Sequence, residues 1–220
     1  MAETHAPDQT QPSRRRLRHE ESIASILTAA REIMRSDGAA ALTMQELAHR
    51  LGIRPPSLYN YFSGKMAIYD ALFQLGFRLF DEAMHRPNDL AADPMTPELF
   101  LQTTMARYMH FAQHYPELYQ ICFERPVPGF VPSAASMAVS LGVLGKALAQ
   151  TEAWLQTTGQ TPDANLTTLQ HFDLFNAMMH GLTALHLANE PHLPIGEGRF
   201  GSLIPAAVVM FSRYLQGTKP

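Results

Sequence analysis

The stretch Leu42-Thr43-Met44-Gln45-Glu46-Leu47-Ala48-His49-Arg50-Leu51-Gly52-Ile53-Arg54-Pro55-Pro56-Ser57-Leu58-Tyr59-Asn60-Tyr61-Phe62 reads as two short helices around a tight turn. Thr43 and Glu46 stand at capping-box spacing, where each side chain satisfies an orphan amide at the other's end. Leu42 and Leu47 flank that cap as a hydrophobic staple. Met44, Leu47, Ala48 and Leu51 fall at i, i+3, i+4 and i+7, one apolar face of a helix. Gly52 suits the left-handed residue that ends such a helix, with Ile53 closing over it. Pro55 and Pro56 lack only the amide protons that the first turn of a new helix leaves unused. These local rules agree on one helix–turn–helix.

The second helix is expected to run about two turns, to Phe62. Leu58 and Phe62, four residues apart, point inward, while Arg54, Ser57, Asn60 and Tyr61 share the exposed face and Tyr59 sits at its edge. Arg and Asn pair bidentately with guanine and adenine edges in the major groove, and Ser serves either. Tyr hydroxyls and Lys ammonium groups suit phosphates, which fix register rather than read sequence. Ser63 is placed to cap a third helix and to aim Lys65 at a nucleic-acid backbone. An ordinary solvated helix tip would carry the same polar residues, but the preceding turn favours a DNA reader.

Residues Glu20 to Lys65 resemble the DNA-binding domain of the TetR/AcrR family of transcriptional regulators. Leu42, Thr43, Leu47, Ala48, Leu51, Gly52, Ile53, Leu58, Tyr59, Tyr61, Phe62 and Lys65 carry the likeness. The resemblance implies phosphate contacts at Thr43, Tyr59, Tyr61 and Lys65. It implies that Arg54, Pro55, Pro56, Ser57 and Asn60 face bases or their sugars. Arg54 stands where many relatives have a Ser cap, and Met66 where many have Glu. By the same resemblance the chain is a homodimeric regulator, a repressor released by a small-molecule effector. Its two recognition helices would lie in successive major grooves of a pseudo-palindromic operator, about 34–36 Å or a multiple apart. Further along, Tyr108 to Tyr119 is similar to the helix–turn that follows the linker helix in many relatives. Met179-His180-Gly181-Leu182 resembles a histidine–glycine pair found late in one subgroup.

Composition narrows the class. The chain has 220 residues with 46% hydrophobic content, ample for a buried core. No apolar run approaches the ~20 residues of a membrane span. The start is polar and bears prolines, unlike a signal peptide. One cysteine, Cys122, fits a reducing cytoplasm, and between Ile121 and Phe123 it reads as a core thiol rather than a redox centre. The total charge of −3 divides unevenly: Arg14 to Lys65 holds nine basic and five acidic side chains, a net of +4, which leaves −7 elsewhere. The positive share lies with the helix–turn–helix, and two copies would double it.

The expected fold is all-α with about nine helices: a three-helix DNA-binding domain followed by a helical ligand-binding and dimerisation domain. Residues 1–18 form a flexible basic arm, with Arg14, Arg15, Arg16 and Arg18 suited either to a minor groove or simply to solvent. Residues 19–65 form the helix–turn–helix domain and 66–220 the regulatory domain. Helices are expected over Glu20–Asp37, Lys65–Arg86, Glu98–His114, Pro116–Phe123, Ser133–Thr158, Asp163–Asn189 and Phe200–Gln216, with a loop over Pro87–Pro97. Ile23, Ile26, Leu27, Ala30 and Met34 face inward on the first of these, and Ile68, Leu72, Leu75, Leu79 and Met84 on the second. The helices over 163–189 and 200–216 are apolar on more than one side. Gly181 and Ala177 allow close approach, so these two are expected to pair with their symmetry mates.

Tyr108, Tyr119, Trp154, Phe172, Phe175 and Met179, with Met178, are candidates to line an effector cavity, with His171, Asn176 and His180 as polar handles. A stripe of this kind also makes plain core. His110 and His114, at i, i+4, present two imidazoles and open the alternative of a helical metal protein or enzyme. A protein–protein adaptor with a lapsed DNA reader is a second alternative. No nucleophile elbow, phosphate-binding glycine loop or acid–base pair points to catalysis. Neither a cofactor nor a resident metal is expected.

Overall fold

The computed structural model describes residues 14–85, 96–158 and 165–216, and every regular element among them is helical. The chain divides into two units, one ending at Ile68 and one beginning at Tyr69. The first holds α1 (Arg14–Asp37), a 3₁₀ turn at Ala39–Ala41, α2 (Met44–Leu51), α3 (Pro55–Leu58) and the opening turn of α4 (Lys65–Met84).

In α2 the sequence rules act in detail. Thr43 Oγ1 accepts from the Glu46 amide at 3.1 Å, so the cap forms. The Glu46 carboxylate, expected to complete a reciprocal box, turns instead to Arg50 at 3.3 Å. Gly52 sits at φ 67°, ψ 26°, its amide reaching His49 O while the Ile53 amide reaches Ala48 O. Those two bonds are a complete Schellman motif. Ile53 itself stays 39% exposed rather than closing over the helix. Leu42, Leu47, Leu58 and Phe62 are buried with Ile26, Ala30, Ile33 and Met34 of α1. α3 is one turn rather than two, although the Phe62 amide still reaches Leu58 O at 3.0 Å.

α1 begins at Arg14, six residues before the expected start, so Arg14, Arg15, Arg16 and Arg18 are helical rather than part of an arm. Arg is a good helix former, and the added turns hold local bonds. Arg16 Nε pairs with Glu20 at 2.9 Å, and Ser22 Oγ donates to Arg18 O at 2.8 Å. The rest of the expected arm, residues 1–13, lies outside the described residues.

The second unit holds the body of α4, then α5 (Pro97–His114), α6 (Pro116–Tyr119) and a π-helical turn at Gln120–Glu124. It closes with α7 (Ala134–Thr158), α8 (Thr168–Asn189), α9 (Gly198–Gly201) and α10 (Ile204–Leu215). α8 starts after the expected Asp163 because a reciprocal capping box at Thr167 and Gln170 fixes its end. The last expected helix is two helices. Pro205 has no amide to bond backwards, so the chain restarts at α10 with proline in its first turn. On α4, Leu75 and Leu79 are only half-buried, while Tyr69, Phe73 and Phe77 fill the core. Phe73 and Phe77 lie 4.8 Å apart between ring centres, and Phe77 meets Phe123 at 5.5 Å.

Two contacts fasten α4 within this unit. The Asp70 carboxylate accepts from the Ser133 amide at 2.7 Å and the Ser133 hydroxyl at 2.9 Å, capping the start of α7. Burial works to raise Asp70, but the Ser133 and Ser136 hydrogen bonds outweigh it and hold the carboxyl below its ordinary value. This clasp is therefore complete above the ordinary carboxylate range and is lost as pH falls through the depressed value. The second contact is Gly76, where a Cβ would stand 2.5 Å from Cys122 Sγ. Gly76→Ala is accordingly expected to cost about 1–3 kcal/mol by overpacking. Adding Cys122→Ala should recover most of that loss in urea denaturation, whereas equal loss in the single and double variants would contradict the close approach.

Candidate functional site

The turn and its anchored helix present one polar face. Leu58 is fully buried, and with Phe62 it fixes the rotation of α3. Arg54, Pro55, Pro56, Tyr59, Asn60 and Lys65 are exposed, Tyr59 at 56%, and Ser57 and Tyr61 are half-buried. Thr43 is exposed but already spends its hydroxyl oxygen on the α2 cap, so its side chain can still donate outward. The residues expected to face bases and those expected at phosphates are thus displayed by one unit. They are guanidinium, hydroxyl, carboxamide and ammonium groups, the set that recognises base edges and phosphate oxygens.

The added turns of α1 build a second feature in the same unit. Arg15, Arg16, Arg18, His19, Ser22 and Tyr61 line one open groove. His19 stacks on Tyr61 at 5.1 Å with the rings 24° from parallel. Arg16 is paired with Glu20, but among the described residues Arg15 and Arg18 carry no ion pair. Four arginines at a helix start oppose the helix dipole. An anionic partner would remove that opposition. The sequence contains the signal in Arg14–Arg18, but reading it as an arm hides its juxtaposition with Tyr61.

The second unit contains a cavity of about 170 Å³. Of the residues expected there, Trp154, His171, Phe172, Phe175, Asn176 and Met179 line it. Phe77, Phe80, Phe100 and Phe123, absent from the sequence-based set, complete an aromatic wall. Their signal is present in the i, i+4, i+7 spacing of Phe73, Phe77 and Phe80, which the leucine pattern of α4 masks. Phe100 stacks on Trp154 at 5.3 Å. His171 Nδ1 lies 2.8 Å from the Tyr214 hydroxyl.

Tyr108, Tyr119 and His180 do not line this cavity. They form a separate buried cluster in which both phenol oxygens approach His180 Nδ1, at 3.0 and 2.9 Å. One ring nitrogen cannot give two phenols a full two-centre bond each, so the cluster shares its hydrogen bonds. Burial raises both phenols above their ordinary value. Phe123 packs on both tyrosines at 5.6 Å and also borders the cavity, so the cluster backs one cavity wall. Burial likewise pushes the Cys122 thiol up, away from thiolate chemistry. His110 and His114 are exposed with nearly parallel rings, and among the described residues no group of three potential metal ligands is assembled.

Residues 26–72, which include α2, α3 and their turn, match the family described as bacterial regulatory proteins, tetR family. The tetR-family likeness is thus carried by this amino-terminal module. The chain is similar to the HTH-type transcriptional activator FasR of Mycolicibacterium smegmatis, 28% identical over 109 residues. That match covers 50% of this chain and 48% of FasR, so the chain spans about half the length of this curated relative. The fold resembles a protein with unknown function from Rhodococcus sp. RHA1, at a TM-score of 0.71 and 18% identity over 89% of this chain and 95% of that one. It also resembles the transcriptional regulator FadR from Bacillus subtilis in complex with stearoyl-CoA. There the TM-score is 0.62 and the identity 15%, over 87% of this chain and 98% of that one. The amino-terminal module carries the family match, while the helical remainder is matched as a fold.

His180 is the keystone of the tyrosine cluster. His180→Leu should destabilise the protein by about 1–3 kcal/mol by leaving buried phenols short of a partner. Combining it with Tyr108→Phe and Tyr119→Phe should cost less than the single change, measured by chemical denaturation. A single substitution without effect would show that the convergence on Nδ1 contributes nothing.

Proposed function

We propose that this chain is a DNA-binding transcriptional regulator that acts as a homodimer on a pseudo-palindromic operator and is released by a small molecule, most simply as a repressor. The carrying observation is the buried anchoring of α3 by Leu58 and Phe62, which leaves Arg54, Ser57, Asn60, Tyr59 and Lys65 displayed together. In this reading Thr43, Tyr59, Tyr61 and Lys65 hold phosphates. Arg54, Ser57 and Asn60 read base edges, with Pro55 and Pro56 against the sugars. The α1 groove extends the phosphate grip through Arg15 and Arg18. A protein with this role works in the cytoplasm, where its operator lies.

The duplex charge makes the reading measurable. With a fragment selected from genomic DNA by the full chain, the logarithm of affinity should fall steeply with the logarithm of salt. Lys65→Ala should weaken binding for all sequences and reduce that slope by about one for each phosphate no longer neutralised. Arg15→Ala with Arg18→Ala should reduce the slope further, by about two per protomer. Slopes unchanged in both variants would remove these residues from the interface, and salt-independent binding would overturn the DNA reading.

The homodimer reading rests on unpartnered apolar surface. Leu174, Ala177, Leu185 and Ala188 are exposed along α8, with Gly181 between them and nothing within 4 Å of its Cβ position. On α10, Ala206, Val209 and Met210 are exposed, Met210 at 62%. α8 and α10 are in contact, so these residues can form a continuous face. Self-pairing of such a face makes a four-helix arrangement with twofold symmetry. Leu185→Glu should give a helical monomer in sedimentation velocity and lower operator affinity, because the two modules then bind independently. A dimer of unchanged strength would place the interface elsewhere.

The effector is assigned to the cavity among α4, α5, α7, α8 and α10. Its occupancy would favour one arrangement of the dimer, by no more than the ligand's difference in affinity between the two.

A further inference from the structure

The cavity's size, lining and unspent hydrogen-bonding groups define what it can hold. We infer that its ligand is a compact, uncharged, single-ring aromatic molecule carrying one hydrogen-bonding substituent; this deepens the effector reading above and rests on it.

Size sets the first limit. An apolar cavity of about 150 Å³ accommodates benzene, and this one measures about 170 Å³. That admits a substituted ring.

The wall sets the second. Eight aromatic rings line the cavity, including the stacked pair Phe100 and Trp154. Aromatic walls favour a flat ring through offset and edge-on contacts worth about 0.5–1.5 kcal/mol each beyond burial. A flexible chain gains no such directional term.

Charge sets the third. Among the described residues no Lys, Arg, Asp or Glu lines the cavity. Two imidazoles reach it, each engaged through Nδ1: His85 Nδ1 lies 2.9 Å from Asp81, and His171 Nδ1 faces Tyr214. Lys146 also pairs with Asp81, so that carboxylate is engaged from two sides. A ligand carboxylate would meet no Lys or Arg there to offset its desolvation.

The polar handles set the fourth. Thr104, Ser140 and Thr151 border the cavity but donate their hydroxyls back to Phe100, Met137 and Ala147 of their own helices. Gln150 of α7 also borders the cavity but is exposed, whereas half-buried Asn176, on α8, makes no such return bond and offers a donor and an acceptor to the cavity. A phenol or benzylic hydroxyl matches it.

Trp154, the chain's one tryptophan, lines the site and reports on it directly. The full chain would be titrated with p-cresol, benzyl alcohol, benzoate and stearoyl-CoA, following selectively excited tryptophan emission and, in parallel, calorimetry. Saturable quenching by p-cresol and benzyl alcohol, with benzoate roughly tenfold weaker or worse and stearoyl-CoA without effect, is expected. Ala147→Phe fills the space and should abolish the signal. Asn176→Leu keeps the ring site but should erase the preference for p-cresol over toluene. Tight binding of stearoyl-CoA or benzoate, p-cresol binding unchanged by Ala147→Phe, or a preference for p-cresol over toluene that survives Asn176→Leu would overturn the ligand class. The regulatory reading is tested separately, by release of the selected DNA fragment. Binding of p-cresol without release would leave the ligand class standing and count against its role as effector, whereas release by stearoyl-CoA alone would do the reverse.

Discussion

A one-turn helix has no stability of its own. Nucleation costs more than four residues of α3 can return, so its orientation depends on burial of Leu58 and Phe62 and on packing of α3 against α2. Everything assigned to the amino-terminal module follows from that anchoring. The left-handed Gly52 delivers the chain to Arg54 at the right angle, and the paired prolines start the turn without wasting a donor. Apolar burial therefore does more than hold this unit together: it decides which side chains are left facing outward. The polar face is what remains after the core has been filled.

The second unit uses a different device. Its centre is aromatic, from Tyr69 and Phe73 through Phe77 and Phe80 to Phe123. Rings are stiff, and packing them edge to face leaves gaps that aliphatic side chains would flow into. The cavity sits at the end of this array, where Trp154 and Phe100 stack rather than close the space. A π-helical turn at Gln120–Glu124, followed by Arg125 at φ 51°, swings Phe123 into the wall. Such irregular turns recur at functional places in helical proteins because they re-aim one side chain without moving the rest.

The amino-terminal module is legible in the sequence because its rules are local. Caps, a terminating glycine and one apolar stripe each depend on residues within a turn or two, and all point the same way. What the sequence hides is the consequence of packing between distant segments. Tyr108, Tyr119 and His180 look like cavity residues by type, yet they meet one another instead, because α5, α6 and α8 converge there. Ile68 and Leu72 of the expected inward set are fully buried, but further along α4 Phe73 and Phe77 take the core in place of Leu75 and Leu79. By composition the arginines before Glu20 make an arm, although Arg16 and Glu20 stand at helical pairing distance. In each case the residue types are visible and their neighbours are not.

The bare apolar face on α8 and α10 has a thermodynamic corollary. If a second copy covers it, folding and assembly share one free energy, and mass action enters the stability of each protomer. Dilution would then loosen the fold itself, and the melting temperature would climb with protein concentration. Cellular abundance would set how much of the protein stands ready, so a scarce protein of this design would be fragile as well as dilute.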